Sequence, residues 1–218
     1  MSGKRTLDFT GSVDTSAPRG RLGTLLLDPD AIVIANGGAA ADDAQLNNNV
    51  PAGQGTGQIL FADGGAGTYT ISETKIEGTN ANIILQANNS ITVNNITDNA
   101  ITLTNNRSLT LQTTTGNIAF ADTADAFVAS GTGTITISAG GAASLGGMTT
   151  ANRAIAITAG TTASVGTIST GSGAVSITAS GLISQVPGTS ITSSGTTTIA
   201  AGSGNNITHN NAGNNFGT

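Results

Sequence analysis

From residue 133 onward, apolar and polar residues alternate in short runs that return at a fixed interval. Residues 133–152 read GTITISAGGAASLGGMTTAN and residues 153–172 read RAIAITAGTTASVGTISTGS, so strand, turn and strand recur at an offset of 20. The line GAVSITASG from Gly173 keeps that offset, and GTTTIAAG from Gly195 follows after 22. Self-similarity at this period predicts a solenoid, in which each repeat buries its apolar face only by stacking on the next. In the aligned lines Ile135, Ile155 and Val175 fall in one column, Ile137, Ile157, Ile177 and Ile199 in a second, and Ala139, Ala159, Ala179 and Ala201 in a third. The columns are two residues apart within each strand, so they share a face. Thr134, Thr136 and Ser138, then Ala154, Ala156 and Thr158, fill the opposite face with small or hydroxylated side chains that tolerate water. In a parallel coil, like residues of successive turns lie about 4.8 Å apart. Each buried Ile then contributes about 1.5–3 kcal/mol.

Before residue 133 the spacing is less regular, but strand-length apolar runs persist. They are GTLLLD (23–28) and AIVIAN (31–36) on either side of Pro29, then ILFAD (59–63), TYTIS (68–72), NIILQ (82–86), SITVN (90–94), AITLT (100–104), SLTLQ (108–112) and NIAFAD (117–122). Residues 1–22 read as a lead-in, and residues 37–58, rich in Gly, Ala and Asn, as a flexible loop thrown out of the coil. Asn and Gly dominate the joints, where Asn tolerates the left-handed conformation and stacked Asn side chains can bond along the rod. Nowhere do apolar residues recur at i, i+3, i+4 and i+7 over several turns, so no long helix is expected. The pattern predicts one all-β domain over 1–218, a parallel β-helix of about 20 residues per coil. With about ten coils it would be roughly 50 Å long.

Composition supports a narrow rod. The chain has 218 residues, with 31 Gly, four Pro, 3% aromatic and 9% charged residues, which suits a core of Ile, Leu, Val and Ala with Gly at many turns. A net charge of −5 excludes a nucleic-acid surface, because phosphate contacts need clustered Lys and Arg. Four of the seven basic residues, Lys4, Arg5, Arg19 and Arg21, sit near the N-terminus and read as a solvated tail. Without cysteine there are neither disulfides nor thiolate metal sites. The opening MSGKRTLDFTGS lacks the apolar core of a signal peptide, and no run of about 18 apolar residues is long enough to span a membrane.

Candidate chemistry is sparse. After Asp125 the chain holds no Asp, Glu or Lys, one Arg (Arg153) and one His (His209), so neither a Ser-His-Asp triad nor a carboxylate pair can be assembled there. Asp28 with Asp30, Asp42 with Asp43, and Asp122 with Asp125 are the close Asp pairs; none has a calcium-loop spacing, and all read as solvated turn carboxylates. His209, in NNITHNN, reads as a surface residue, since general-base and metal chemistry both need partners it lacks. The sequons at Asn88, Asn95, Asn106 and Asn206 follow from an Asn/Thr-rich composition. No catalytic, cofactor-binding or metal residue is assigned, and no cofactor is expected.

The segment GSVDTSAPRGRLGTLLLDPDAIVIANGG (11–38) resembles a recurrent segment of the filamentous haemagglutinin-like large exoproteins, and AIAITAGTTASVGTISTGSGAVSITASG is similar to their shaft repeats. The resemblance implies a right-handed parallel β-helix, exported by two-partner secretion through an outer-membrane transporter to the bacterial cell surface and used in adhesion. No Asn-Pro-Asn-Gly-Ile-type signature of the family's secretion domain occurs, so the chain reads as a shaft segment or short relative.

The expected function is therefore an extracellular, non-catalytic shaft that meets a cell-surface or carbohydrate receptor. The alternative is a subunit that stacks end to end into a filament, because an open β-helix end exposes unpaired backbone groups, and neither MSGKRT nor AGNNFGT looks like an apolar cap. An ice-binding solenoid would need a flat array of outward Thr, and the column Thr136, Ala156, Ser176 and Thr198 is mixed. A polysaccharide-processing enzyme ranks last.

Overall fold

The computed structural model describes residues 29–46, 56–61, 67–103 and 106–217. They form a β-solenoid in which every strand pairing is parallel. Each turn lays one strand on each of three faces. The first full turn runs through Ile83–Ala87, Ser90–Val93 and Ala100–Leu103, and the second through Leu109–Thr113, Asn117–Phe120 and Ala126–Ala129. Next come Ile135–Ala139, Ala143–Ser144 and Gly147–Thr150, then Ile155–Ala159, Ala163–Val165 and Ile168–Ser169. The fifth turn uses Val175–Ala179, Ile183–Gln185 and the start of Ile191–Ala201; the sixth uses the rest of that strand, Ile207–Thr208 and Asn215–Gly217.

The first-face register confirms the predicted columns. Ile135 pairs with Ile155 and Ile155 with Val175; Ile137, Ile157, Ile177 and Ile199 follow one another, as do Ala139, Ala159, Ala179 and Ala201. The residues of these columns up to Ala179 are buried, and Ile199 and Ala201 pack against them from the last turn. Among the described residues there are six full turns where about ten were expected. Ile83 pairs with Leu109 and Leu109 with Ile135, so the early turns take 26 residues each. Six turns span roughly 30 Å. The first third-face strand, Ala100–Leu103, was expected as AITLT, but the later ones escaped the sequence reading, and the last inward residues of three of them, Thr150, Thr170 and Ser193, are buried and polar. Their hydroxyls donate to carbonyls just past the corner, of Arg153, Gly173 and Gly195 respectively, which removes the cost of burying them.

The corners between the third and first faces explain the Asn/Gly joints. Asn106 and Asn152 take the left-handed conformation (φ 65° and 63°), and their side-chain oxygens accept the amides of Thr132 and Ser172 in the following turn, at 2.9 and 3.0 Å. Asn thus bonds to the next turn's backbone, and side chains also bond from turn to turn: the Thr114 hydroxyl donates to Asn88 at 3.1 Å, the Ser172 hydroxyl to Asn152 at 3.3 Å, and the Gln86 amide to Gln112 at 2.8 Å. Gly171, at φ 56°, must be Gly twice over, since a Cβ there would also lie 2.3 Å from the Asn152 side-chain oxygen.

The N-terminal end of the described solenoid is closed by segments that did not read as caps. Strand Pro29–Ala35 lies between Ser90–Val93 and the later strand Gly67–Ser72, which forms the edge of the second face. That edge is blunted by residues predicted to be a free loop. Asp42 accepts the Thr70 amide at 2.7 Å and returns its own amide to the Thr70 carbonyl, while Asp43 accepts the Ser72 amide at 2.7 Å. Leu46, in the short 3-10 helix Asp43–Leu46, is fully buried. Residues 37–46 are therefore a packed part of the end; residues 47–55, the strand expected at 23–28 and the lead-in 1–22 lie outside the described residues. Over the third face sits a short helix, Glu73–Gly78, whose N-cap Ser72 accepts the Lys75 amide at 3.1 Å. Its Ile76 enters the core and its Glu77 carboxylate accepts the Thr102 amide, at 2.7 Å, on the edge strand.

Two stability experiments check this arrangement. In urea unfolding, Ile157→Ala should cost about 2–5 kcal/mol and Thr158→Ala, on the outward face, about 0.5 kcal/mol or less; similar losses would contradict the register. Leu46→Ala should also cost about 2 kcal/mol or more, and a loss as small as that of Thr158→Ala would mean that residues 37–46 are not a cap.

Candidate functional site

The outward positions form three faces of mostly polar side chains, interrupted by Ala119, Val128, Ala156 and Ala200. On the first, Thr110, Thr136, Ala156, Ser176 and Thr198 stack beside Gln112, Ser138, Thr158, Thr178 and Ala200. The second carries Thr92, Ala119, Ser144, Ser164, Ser184 and Thr208. The third carries Thr102, Val128, Thr149, Ser169, Thr192 and Asn215. Strand alternation places them there: the inward neighbours are apolar, so hydroxyls, amides and small side chains are left to face water. Near the C-terminal end of the third face lies an open depression of about 210 Å³ lined by Ser169, Gly171, Thr192, Ser193, Ser194 and Asn215. Such surfaces offer donors and acceptors without charge, which suits hydroxyl-rich polymers and gives no group able to activate a nucleophile.

Charge is gathered instead at one corner of the N-terminal half. Asp125 is 1% exposed; one carboxylate oxygen accepts the Ile96 amide at 3.0 Å and the other, Oδ1, has no partner among the described residues. Burial pushes its carboxyl above the ordinary value, the Ile96 amide opposes this, and the charges of Asp122 and Asp98 push it further up. Glu73, also buried, accepts the Gly37 amide at 3.2 Å. Burial raises its carboxyl against that bond, and Asp98 and Glu77 add to the rise. Asp43 goes the other way: burial works against ionisation, but the amides of Ser72 and Ala40 and the Ser72 hydroxyl outweigh it and lower the carboxyl. Among the described residues no three His, Cys, Asp or Glu side chains converge where a metal ion could sit.

The paired aspartates are thus not all solvated turn residues. Asp42 and Asp43 are braces, Asp125 lies inside the wall, and Asp28 falls outside the described residues. His209 also departs from a surface role. It follows Thr208, whose partner is Ser184, and both of its ring nitrogens are enclosed without a hydrogen-bond partner; burial lowers its pKa. Sequence reasoning missed the inward path of residue 209 because Ile207 and His209 are two apart on a strand too short to show a period. The acidic corner was missed because Glu73, Asp98 and Asp125 come from three segments that only the coil brings together.

Residues 151–218 match a family described as repeats of unknown function (DUF5649). No curated protein and no solved structure matches the chain. The match covers the regular C-terminal turns, so it agrees with a repeat protein of β-solenoid architecture.

The buried carboxyls set a pH dependence. Asp125 and Glu73 hold protons more tightly folded than unfolded, so their contribution to stability is present at acid pH and is lost as pH rises through the raised values. Asp43 contributes above its ordinary value and loses that contribution as pH falls through the lowered one. Asp125→Asn, which mimics the protonated form, should flatten the fall in melting temperature as pH rises above the ordinary carboxylate range. An unchanged slope would mean that Asp125 is hydrated in solution.

Proposed function

We propose that the chain is an extracellular structural and adhesive shaft segment, of the haemagglutinin-like kind, that binds through its outward faces and performs no catalysis. The observation that carries this reading is the recurrence of uncharged hydroxyl and amide side chains on the three outward faces from turn to turn, interrupted by Ala119, Val128, Ala156 and Ala200. Each polar contact to a sugar hydroxyl is weak in water, and a repeated face gains strength by presenting the same contact once per turn. Export by a two-partner route and a place at the bacterial cell surface belong to this proposal and rest on the resemblance of residues 11–38 and of the later repeats.

The test is binding of the purified chain to immobilised polysaccharides and to cell surfaces at low and high salt. Binding should be nearly insensitive to salt, because residues 154–218 carry no Asp, Glu, Lys or Arg. It should fall several-fold when Thr158 and Thr178 are both replaced by Lys, with the melting temperature little changed. Absence of binding to every surface, or turnover of a polysaccharide, would overturn the reading.

A further inference from the structure

The chain contains one Asn–Gly step, Asn36–Gly37, and it lies just past the end of strand Pro29–Ala35. Two groups from distant segments meet it there. The Asn36 side-chain oxygen accepts the Thr97 amide at 2.8 Å, and the Gly37 amide donates to the Glu73 carboxylate at 3.2 Å. Glu73 is buried in the first turn of the short helix, whereas Asn36 is exposed, and a Cβ on Gly37 would meet nothing within 4 Å.

We infer that Asn36–Gly37 is a self-modification site, at which Glu73 and the Thr97 amide drive conversion of Asn36 to aspartate or isoaspartate through a cyclic imide. The Glu73 carboxylate takes the proton of the Gly37 amide, and the Gly37 nitrogen bonds to the Asn36 side-chain carbonyl carbon. The bond from that carbon to Nδ2 breaks, and Nδ2 leaves as ammonia with the proton that Gly37 gave up. Water then opens the imide, giving aspartate where the new bond breaks and isoaspartate where the original peptide bond does. The net change exchanges the side-chain amide for a hydroxyl, consuming a water and releasing an ammonia.

Each half of this chemistry has a group within reach. A general base acts from about 2.6–3.2 Å, and an amide donor stabilises a developing oxyanion from about 2.7–3.1 Å. Glu73 and Thr97 meet those limits. Gly37 has no side chain to crowd its attacking nitrogen, and exposure of Asn36 admits the water. Burial raises the Glu73 carboxyl, the Gly37 amide opposes this, and the facing carboxylates of Asp98 and Glu77 add to the rise, so the ionised form is a stronger base than a solvated carboxylate. The other elements packed against its helix carry Asp43, which faces Lys75, and Tyr69. The product places a further carboxylate at the corner that already holds Glu73 and Asp98, so an aged chain differs in charge from a new one. The inference is independent of what the outward faces bind.

The experiment follows Asn36 by peptide mass spectrometry while the purified chain stands near neutral pH, with isoaspartate read by its specific enzymatic methylation. Asn36 should gain the mass that exchange of an amide for a hydroxyl brings, several-fold faster in the folded chain than in the same chain held unfolded in denaturant. Glu73→Gln, which keeps an acceptor for the Gly37 amide, should slow the folded rate roughly tenfold or more. In the native chain the rate should rise as Glu73 ionises and then level off, whereas attack driven by hydroxide climbs with every step in pH. Folded conversion no faster than unfolded, or a Glu73→Gln chain that is folded by circular dichroism and converts at the native rate, would overturn the inference. If Glu73→Gln does not fold, the pH profile of the native chain decides, and a rate that climbs without levelling overturns the role given to Glu73.

Discussion

Everything in this molecule depends on one constraint: each parallel strand must find, one turn later, a strand whose inward residues match its own. Pairing at an offset of 20 sets Ile on Ile and Ala on Ala, and a slip of one residue would turn every apolar side chain outward. Turn length is otherwise free. The early turns take 26 residues and the later ones 20, then 22 from Val175 to Thr197, with the difference absorbed at corners while the strands stay in register. The backbone supplies the cohesion along the axis and the columns supply the specificity.

Corners are where that constraint is hardest to meet, since the chain changes direction beside a dry core. Two devices recur. Inward hydroxyls at Thr113, Thr150 and Thr170 bond to carbonyls three residues on, so polar groups are buried without cost to the ladder. Left-handed Asn residues turn the chain and hand a side-chain oxygen to the next turn's amide. A corner therefore ties neighbouring turns together and also bends the chain.

The distribution of charge gives the stack a polarity. Carboxylates that cap amides or sit buried cluster in the N-terminal turns, and the C-terminal turns are uncharged apart from Arg153 and His209. Among the described residues, the edge at Gly67–Ser72 and Thr102 is blunted by the chain's own carboxylates and short helix.

The sequence by itself determined the repeat, the inward columns and the uncharged outward faces, because period-2 alternation and an offset of 20 are local and additive along the chain. Nine strand-length runs were legible before residue 133; of the eight from residue 31 onward, seven coincide with a strand of the structure and ILFAD (59–63) meets one only at Ile59, while the run at 23–28 lies outside the described residues. The tertiary structure alone decided the third face beyond Ala100–Leu103, the number of turns and the capping role of residues 37–46. Thr150, Thr170 and Ser193 look like outward residues until their corner carbonyls are in place. Asp42, Asp43 and Leu46 look like loop until the edge of Gly67–Ser72 is beside them. Asp125 and His209 look like solvated polar residues until the coil wraps around them. In each case the deciding neighbour lies about one turn or more away along the chain, so only the stack reveals whether a polar group meets water, a backbone partner or neither.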